Sequence, residues 1–130
     1  MTVDGLVAQQ SNHAPADTMQ RLIAALDAKG VPVLAHIDHA AAAAKAGLSL
    51  RPTDLLIFGN AKAGTPLMAE SQTLGIDLPL KMLVWQDPQG RTWLGYNDPA
   101  FLAKRHGAHG EQILSAMREL LAALVAQAAG

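Results

Sequence analysis

Leu80-Lys81-Met82-Leu83-Val84-Trp85-Gln86-Asp87-Pro88-Gln89-Gly90-Arg91-Thr92-Trp93-Leu94-Gly95-Tyr96 is the stretch that decides the fold class. Its middle, Asp87-Pro88-Gln89-Gly90, is a turn signal. Proline presets the backbone of a turn, aspartate bonds nearby N–H groups, and glycine closes the reversal. Runs rich in Leu, Val and Trp flank it on both sides. Leu80 to Gln86 and Arg91 to Tyr96 therefore read as the two strands of an antiparallel hairpin. Trp85, Trp93 and Tyr96 read as cross-strand packing on it, not as a platform for stacked bases.

Upstream of the hairpin, Leu55-Leu56-Ile57-Phe58 is a continuous apolar run before Gly59 and predicts a central strand. The segment Gly59 to Gly64 reads as a loop. Thr65 then reads as a helix cap with Pro66 at the first helical position, and the helix runs to about Leu74 before Gly75. Val31 to Ile37 predicts another strand, with Val33, Ala35 and Ile37 on one side and Pro32 at its start or on an edge. Asp38 caps a short alanine-rich helix over 40–46. Further back, Pro15 opens a helix whose stripe is Met19, Leu22, Ile23 and Leu26, and Gly30 stops it. Val3, Leu6 and Val7 mark a short first strand.

Downstream, Asp98-Pro99 opens a short helix, and His106-Gly107 and Gly110 break the chain. Ile113, Met117, Leu120 and Leu124 recur at helical spacing. Leu114, Leu121 and Val125 widen that stripe, as in a long helix lying on a sheet. The expected class is α+β: an antiparallel sheet of about four to five strands with helices on one face and a long C-terminal helix. Residues 1–130 read as a single domain, with no repeat and no linker.

Composition narrows the function. The formal net charge is -1, which gives no basic excess to neutralise phosphates and argues against nucleic-acid binding. There is no cysteine, so disulfides, thiolate metal sites and thiol catalysis are excluded. Met1 to Gln10 does not resemble a signal peptide, and Arg118 and Glu119 interrupt the most apolar helix. A cytoplasmic protein that does not enter the membrane is the expectation.

Four polar constellations are candidates for chemistry. Asn60 to Thr65 is a loop leading into a helix, and free N–H groups at a helix start attract anions; Lys62 adds charge and Gly64 allows close approach. The spacing is not that of a phosphate-binding Walker loop, and the plain alternative is a strand-to-helix turn. Asp38-His39 ends a strand, where His39 could act as general base, or Asp38 could simply cap the next helix. Lys81 would point to solvent, or converge with Lys62 and Arg51 on an anion. His106 and His109 are too few to hold a metal, and no metal is assigned.

The pattern Ile37-Asp38-His39, Ala46-Gly47-Leu48, Leu50-Arg51-Pro52-Thr53, Leu56-Ile57-Phe58-Gly59-Asn60, Lys62, Gly64-Thr65-Pro66-Leu67-Met68, Asp77-Leu78-Pro79-Leu80-Lys81 and Trp85-Gln86-Asp87 resembles the domain-of-unknown-function 302 family of bacteria and archaea. The likeness runs from the first helix to Arg105-His106-Gly107. Ala61 stands where that family usually has proline. The resemblance implies a curved antiparallel sheet of TATA-binding-protein-like fold and a homodimer, and it implies no established activity or cofactor.

The leading expectation is a homodimeric binder of a small anionic molecule, held by Asn60, Lys62, Gly64, Thr65 and Lys81 near His39. The alternatives are an enzyme using His39 as general base beside Asp38, and a structural or protein-interaction module without a small-molecule site.

Overall fold

The computed structural model describes residues 2–130. Strands β1 (Leu6–Ser11), β2 (Val33–Asp38), β3 (Thr53–Phe58), β4 (Leu80–Gln86) and β5 (Thr92–Asn97) form one five-stranded sheet in the order β1-β5-β4-β3-β2. Every neighbouring pair is antiparallel. The helices are α1 (Pro15–Ala28), α2 (His39–Lys45), α3 (Ala61–Glu70), α4 (Pro99–His106) and α5 (Glu111–Ala129), and a 3-10 turn, Gln72–Ile76, follows α3. The α+β class, the hairpin and the long C-terminal helix are as expected from the sequence.

Strand alternation divides the sheet into two faces. Leu56, Phe58, Met82, Val84 and Leu94 point to one face and meet Leu22 and Leu26 of α1 and Leu121 and Leu124 of α5; all are at most 1% exposed. Full burial stabilises each such side chain by about 1.5–3 kcal/mol. Ala25, Ala128 and Ala129 are buried where α1 meets α5. Arg21 fastens this contact, donating through Nε to the carbonyl of Ala128 (3.3 Å) and through a terminal nitrogen to that of Gln127 (3.1 Å). Those carbonyls end α5 and have no intrahelical partner, so the guanidinium satisfies them and complements the helix dipole.

Leu55, Ile57, Lys81, Leu83, Trp85, Trp93 and Gly95 belong to the opposite face, by their strand positions. This explains why Leu55 to Phe58 is apolar without interruption: both faces of β3 carry apolar side chains. The hairpin closes on Asp87. Its carboxylate accepts from the N–H groups of Gln89 (2.9 Å) and Arg91 (2.9 Å), from Arg91 Nε (3.0 Å) and from the Trp93 indole N–H (2.9 Å).

Several local expectations are corrected. Helix α3 starts at Ala61, capped by Asn60, whose Oδ1 accepts from Ala63 N–H (3.0 Å); Thr65 and Pro66 lie inside the helix. Asparagine is as good a cap as threonine, and Ala61-Lys62-Ala63 favours helix, so the earlier start prevails. That helix ends at Glu70 and tightens into the 3-10 turn instead of continuing to Leu74. β1 begins at Leu6, later than Val3, and runs to Ser11 along β5. A bulge between Val33 and Ala35 inserts Leu34, so Val33 pairs with Phe58 while Ala35 pairs with Ile57; Val33, Ala35 and Ile37 do not share one unbroken alternation. Ile23 is 37% exposed and sits at the margin of its stripe.

Candidate binding cavity

A cavity of about 720 Å³ opens at the end of the sheet where β2 begins, β3 ends and β4 begins. Val31 and Leu34 line one side, beside Gly59. The first two turns of α3 contribute Ala61, Ala63, Gly64 and Met68. Leu78, Pro79 and Leu80 line it where the chain enters β4. The last wall is α5, through Ile113, Ala116, Met117 and Leu120. Polar side chains enter the lining at three positions, Asn60, Thr65 and Gln112, all of them exposed. None of the lining residues carries a charge.

The lining follows from local structure. Gly64 is buried and faces Met68 and Leu78, so the absence of its side chain leaves room beside α3. The inserted residue at the bulge is Leu34, which is how an edge strand reaches the cavity. Ile113 and Leu120 are the half-buried flank of the α5 stripe; Leu114, Leu121 and Leu124 hold the core.

Asn60, Gly64 and Thr65 line this cavity, whereas Lys62 and Lys81 do not. Lys62 is exposed on the first turn of α3. Lys81 lies on the other face of the sheet from Leu80, and its Nζ donates to the carbonyls of Asp77 (2.8 Å) and Pro79 (2.9 Å). Burial lowers the Lys81 pKa, and the nearby Asp77 charge opposes that only in part. Arg51 donates to the carbonyl of Gln86 (3.2 Å), at the far end of β4. The three cations do not converge.

His39 begins α2, and Asp38 caps it, accepting from Ala41 N–H (2.8 Å). Asp38 pairs with Asp54 at the start of β3, whereas Asn60 follows the end of β3. The length of the strand, about 17 Å, separates them. The pairing of a His39 base with the N–H groups of the Asn60–Thr65 segment on one cavity is therefore absent from this geometry.

A second polar cluster escaped the sequence reading. Asp77 accepts from His106 Nε2 (2.5 Å) and from Arg105 (2.9 Å), while His106 Nδ1 lies 2.8 Å from Thr73 Oγ1. The His106 side chain is 8% exposed and that of Asp77 14%. Burial pushes the Asp77 carboxyl upward, but the His106 hydrogen bond and the Arg105 charge outweigh it and leave the pKa below its ordinary value. With Asp77 accepting at Nε2, the neutral ring carries its proton there and Nδ1 accepts from the Thr73 hydroxyl. The order hydroxyl–imidazole–carboxylate is that of a nucleophilic triad, but none of the three residues lines the cavity. The cluster ties the 3-10 turn to the end of α4. Only spatial proximity assembles it, because Thr73 and His106 are 33 residues apart. His109 is exposed and stands outside it. Among the described residues, no three His, Asp or Glu side chains gather as a metal site.

The profile described as a domain of unknown function, DUF302, matches residues 7–126. The chain belongs to the DUF302 family. A DUF302 protein of Bacillus stearothermophilus, titled an uncharacterized conserved protein, has a crystal structure that superimposes with a TM-score of 0.83 at 22% identity, covering 97% of this chain and 99% of that one. Its likeness supports the fold alone. Over 102 residues this chain is also 48% identical to a protein of Brucella suis biovar 1 named "Fluoride-specific ion channel FluC 1", which covers 78% of this chain and 40% of that protein. A Brucella melitensis protein named "Fluoride-specific ion channel FluC 2" matches equally well over 38% of its length. The chain thus spans about two fifths of these curated relatives. Among the described residues, no helix of this chain is long and apolar enough to cross a membrane.

Proposed function

We propose that this DUF302 domain binds a small molecule in the cavity between α3, α5 and the start of β4. The observation that carries this reading is the cavity itself. Its volume of about 720 Å³ lies in the range of small-molecule sites, which are concave, mostly apolar and furnished with a few polar groups. Asn60, Gly64 and Thr65 are its contact residues from the α3 side, joined by Gln112 from α5. Native mass spectrometry of gently purified protein tests it: an added mass that disappears in Ala116→Trp, whose new ring would fill the mouth, supports the site. Bare protein, together with no displacement of an apolar fluorescent probe, would sink it.

The domain acts as a homodimer in this proposal, joined through the open sheet face. Leu55, Ile57, Leu83 and Trp85 are half-buried there, and Ile37 beside them is 39% exposed. An apolar sheet face of this kind suits an obligate interface. Light scattering of the parent and of Leu83→Glu decides this: a parent that runs as a monomer at micromolar concentration removes the dimer.

A second reading rests on the names of the Brucella relatives. Here the domain serves fluoride handling, and the anion meets the first turn of α3 at Asn60 and Lys62, where the N–H groups of Ala61 and Lys62 have no intrahelical acceptor. Titration with fluoride, followed at the amides of 60–65, tests it against chloride. Shifts common to both halides would reject it.

A further inference from the structure

We infer that the cavity selects an uncharged molecule with an apolar chain and a hydrogen-bonding end, such as an alcohol, ketone or ester, and discriminates against the carboxylate of the same chain. The inference rests on the cavity being a binding site, and it adds the class of ligand.

The argument is one of charge. No lining residue is ionisable, and the nearest cation on the same helix, Lys62, does not contribute to the lining. Lys81 is turned to the other face of the sheet and is held by two carbonyls. A carboxylate drawn in with its chain would lose water without gaining a charged side chain as partner, which is costly in apolar surroundings. A hydroxyl or carbonyl loses far less, and the neutral side chains of Asn60, Thr65 and Gln112 can replace its water. Asn60 Oδ1 already accepts from Ala63 N–H (3.0 Å), so its amide nitrogen is the group left to donate. An acceptor at the end of the chain is therefore the best complement.

Apolar burial also sets how affinity scales with length. Each methylene moved from water into the cavity tightens binding about 3- to 4-fold. The space is too large for a short ligand to fill, so this gain continues along a medium-length chain.

The test is titration of the full chain at pH 7 with octan-1-ol, decan-1-ol and decanoate, read by displacement of N-phenyl-1-naphthylamine and confirmed by calorimetry. Ala116→Trp and Gln112→Trp, both at exposed positions of the rim, serve as independent blocked variants. The expected result has three parts. Decan-1-ol binds about ten-fold tighter than octan-1-ol, decanoate binds at least ten-fold weaker than decan-1-ol, and both variants lose binding. Decanoate binding as tightly as decan-1-ol, with both variants still blocked, overturns the ligand class and leaves the cavity as the site. Decan-1-ol bound equally by the parent and both folded variants overturns the cavity reading, and the inference falls with it. No binding of any chain overturns both.

Discussion

The outer edge of the Trp85 ring lies over Gly95 on the neighbouring strand. A β-carbon at position 95 would stand 2.9 Å from Cζ3 of Trp85 and 3.2 Å from a methyl of Leu6. The same ring stacks on Trp93, with centroids 6.4 Å apart and planes 18° from parallel. Glycine in mid-strand normally weakens a sheet, yet here its bare backbone is the floor on which an indole rests.

Gly95→Val is therefore expected to destabilise the protein by about 1–3 kcal/mol despite the strand preference of valine, because the added side chain must displace Trp85 or Leu6. Denaturant unfolding measures the loss, and near-ultraviolet circular dichroism reports whether the Trp85–Trp93 pair has parted. An unchanged spectrum with unchanged stability would contradict the packing described.

Asp87 has a pKa lowered to about 2, with the Trp93 indole hydrogen bond as the largest cause and the Arg91 and Gln89 hydrogen bonds adding to it. An unfolded aspartate titrates near 3.9. The unfolded chain thus takes up the proton first as pH falls. The stabilisation is complete above about pH 4 and is lost as pH drops through the folded value of about 2. Asp87→Asn should flatten the decline of stability over that interval and lower stability at neutral pH. Acid titration of unfolding, parent beside variant, is the measurement; parallel curves would rule out Asp87 as a source of the acid sensitivity.

Asp77→Asn would leave Arg105 without its partner and His106 with a weaker one. A loss of about 1–3 kcal/mol is expected. Denaturant unfolding at pH 7, parent beside variant, measures it. Equal stability of the two proteins would show that the Asp77 cluster does not help to hold the 3-10 turn to the end of α4.

Gly64→Ala is expected to stabilise the protein by about 0.5–1 kcal/mol. The position is inside α3, where alanine is preferred to glycine, and the new methyl would sit at ordinary contact distances of 3.5 Å from Met68 Cε and 3.6 Å from Leu78 Cδ1. It would also narrow the cavity, so a bound decanol should weaken as the melting temperature rises. Calorimetry measures both.

The fold was legible because its punctuation is local. Asp87-Pro88-Gln89-Gly90 announces the hairpin, Pro15 opens α1, and the Ile113–Val125 periodicity defines α5. The start of α3 is not legible locally: Thr65-Pro66 has the pattern of a cap followed by a first turn, whereas in the folded chain Asn60 holds the Ala63 N–H. The candidate site was legible only in Asn60, Gly64 and Thr65. Its other walls, Leu78, Ile113 and Leu120, are apolar residues whose sequence pattern is that of core. Whether such a residue meets another side chain or an empty space depends on how α5 is placed relative to α3 and the start of β4, which no local pattern encodes.

The inserted residue in β2 has a consequence beyond lining the cavity. β2 is one border of the sheet, and a straight border strand offers unpaired N–H and C=O groups on which another chain can zip. With Val33 opposite Phe58 and Ala35 opposite Ile57, Leu34 interrupts that border and twists it. The same extra residue that gives the cavity a leucine thus spoils the template for runaway strand addition. Deleting Leu34 would restore a regular border and is expected to raise the tendency to aggregate.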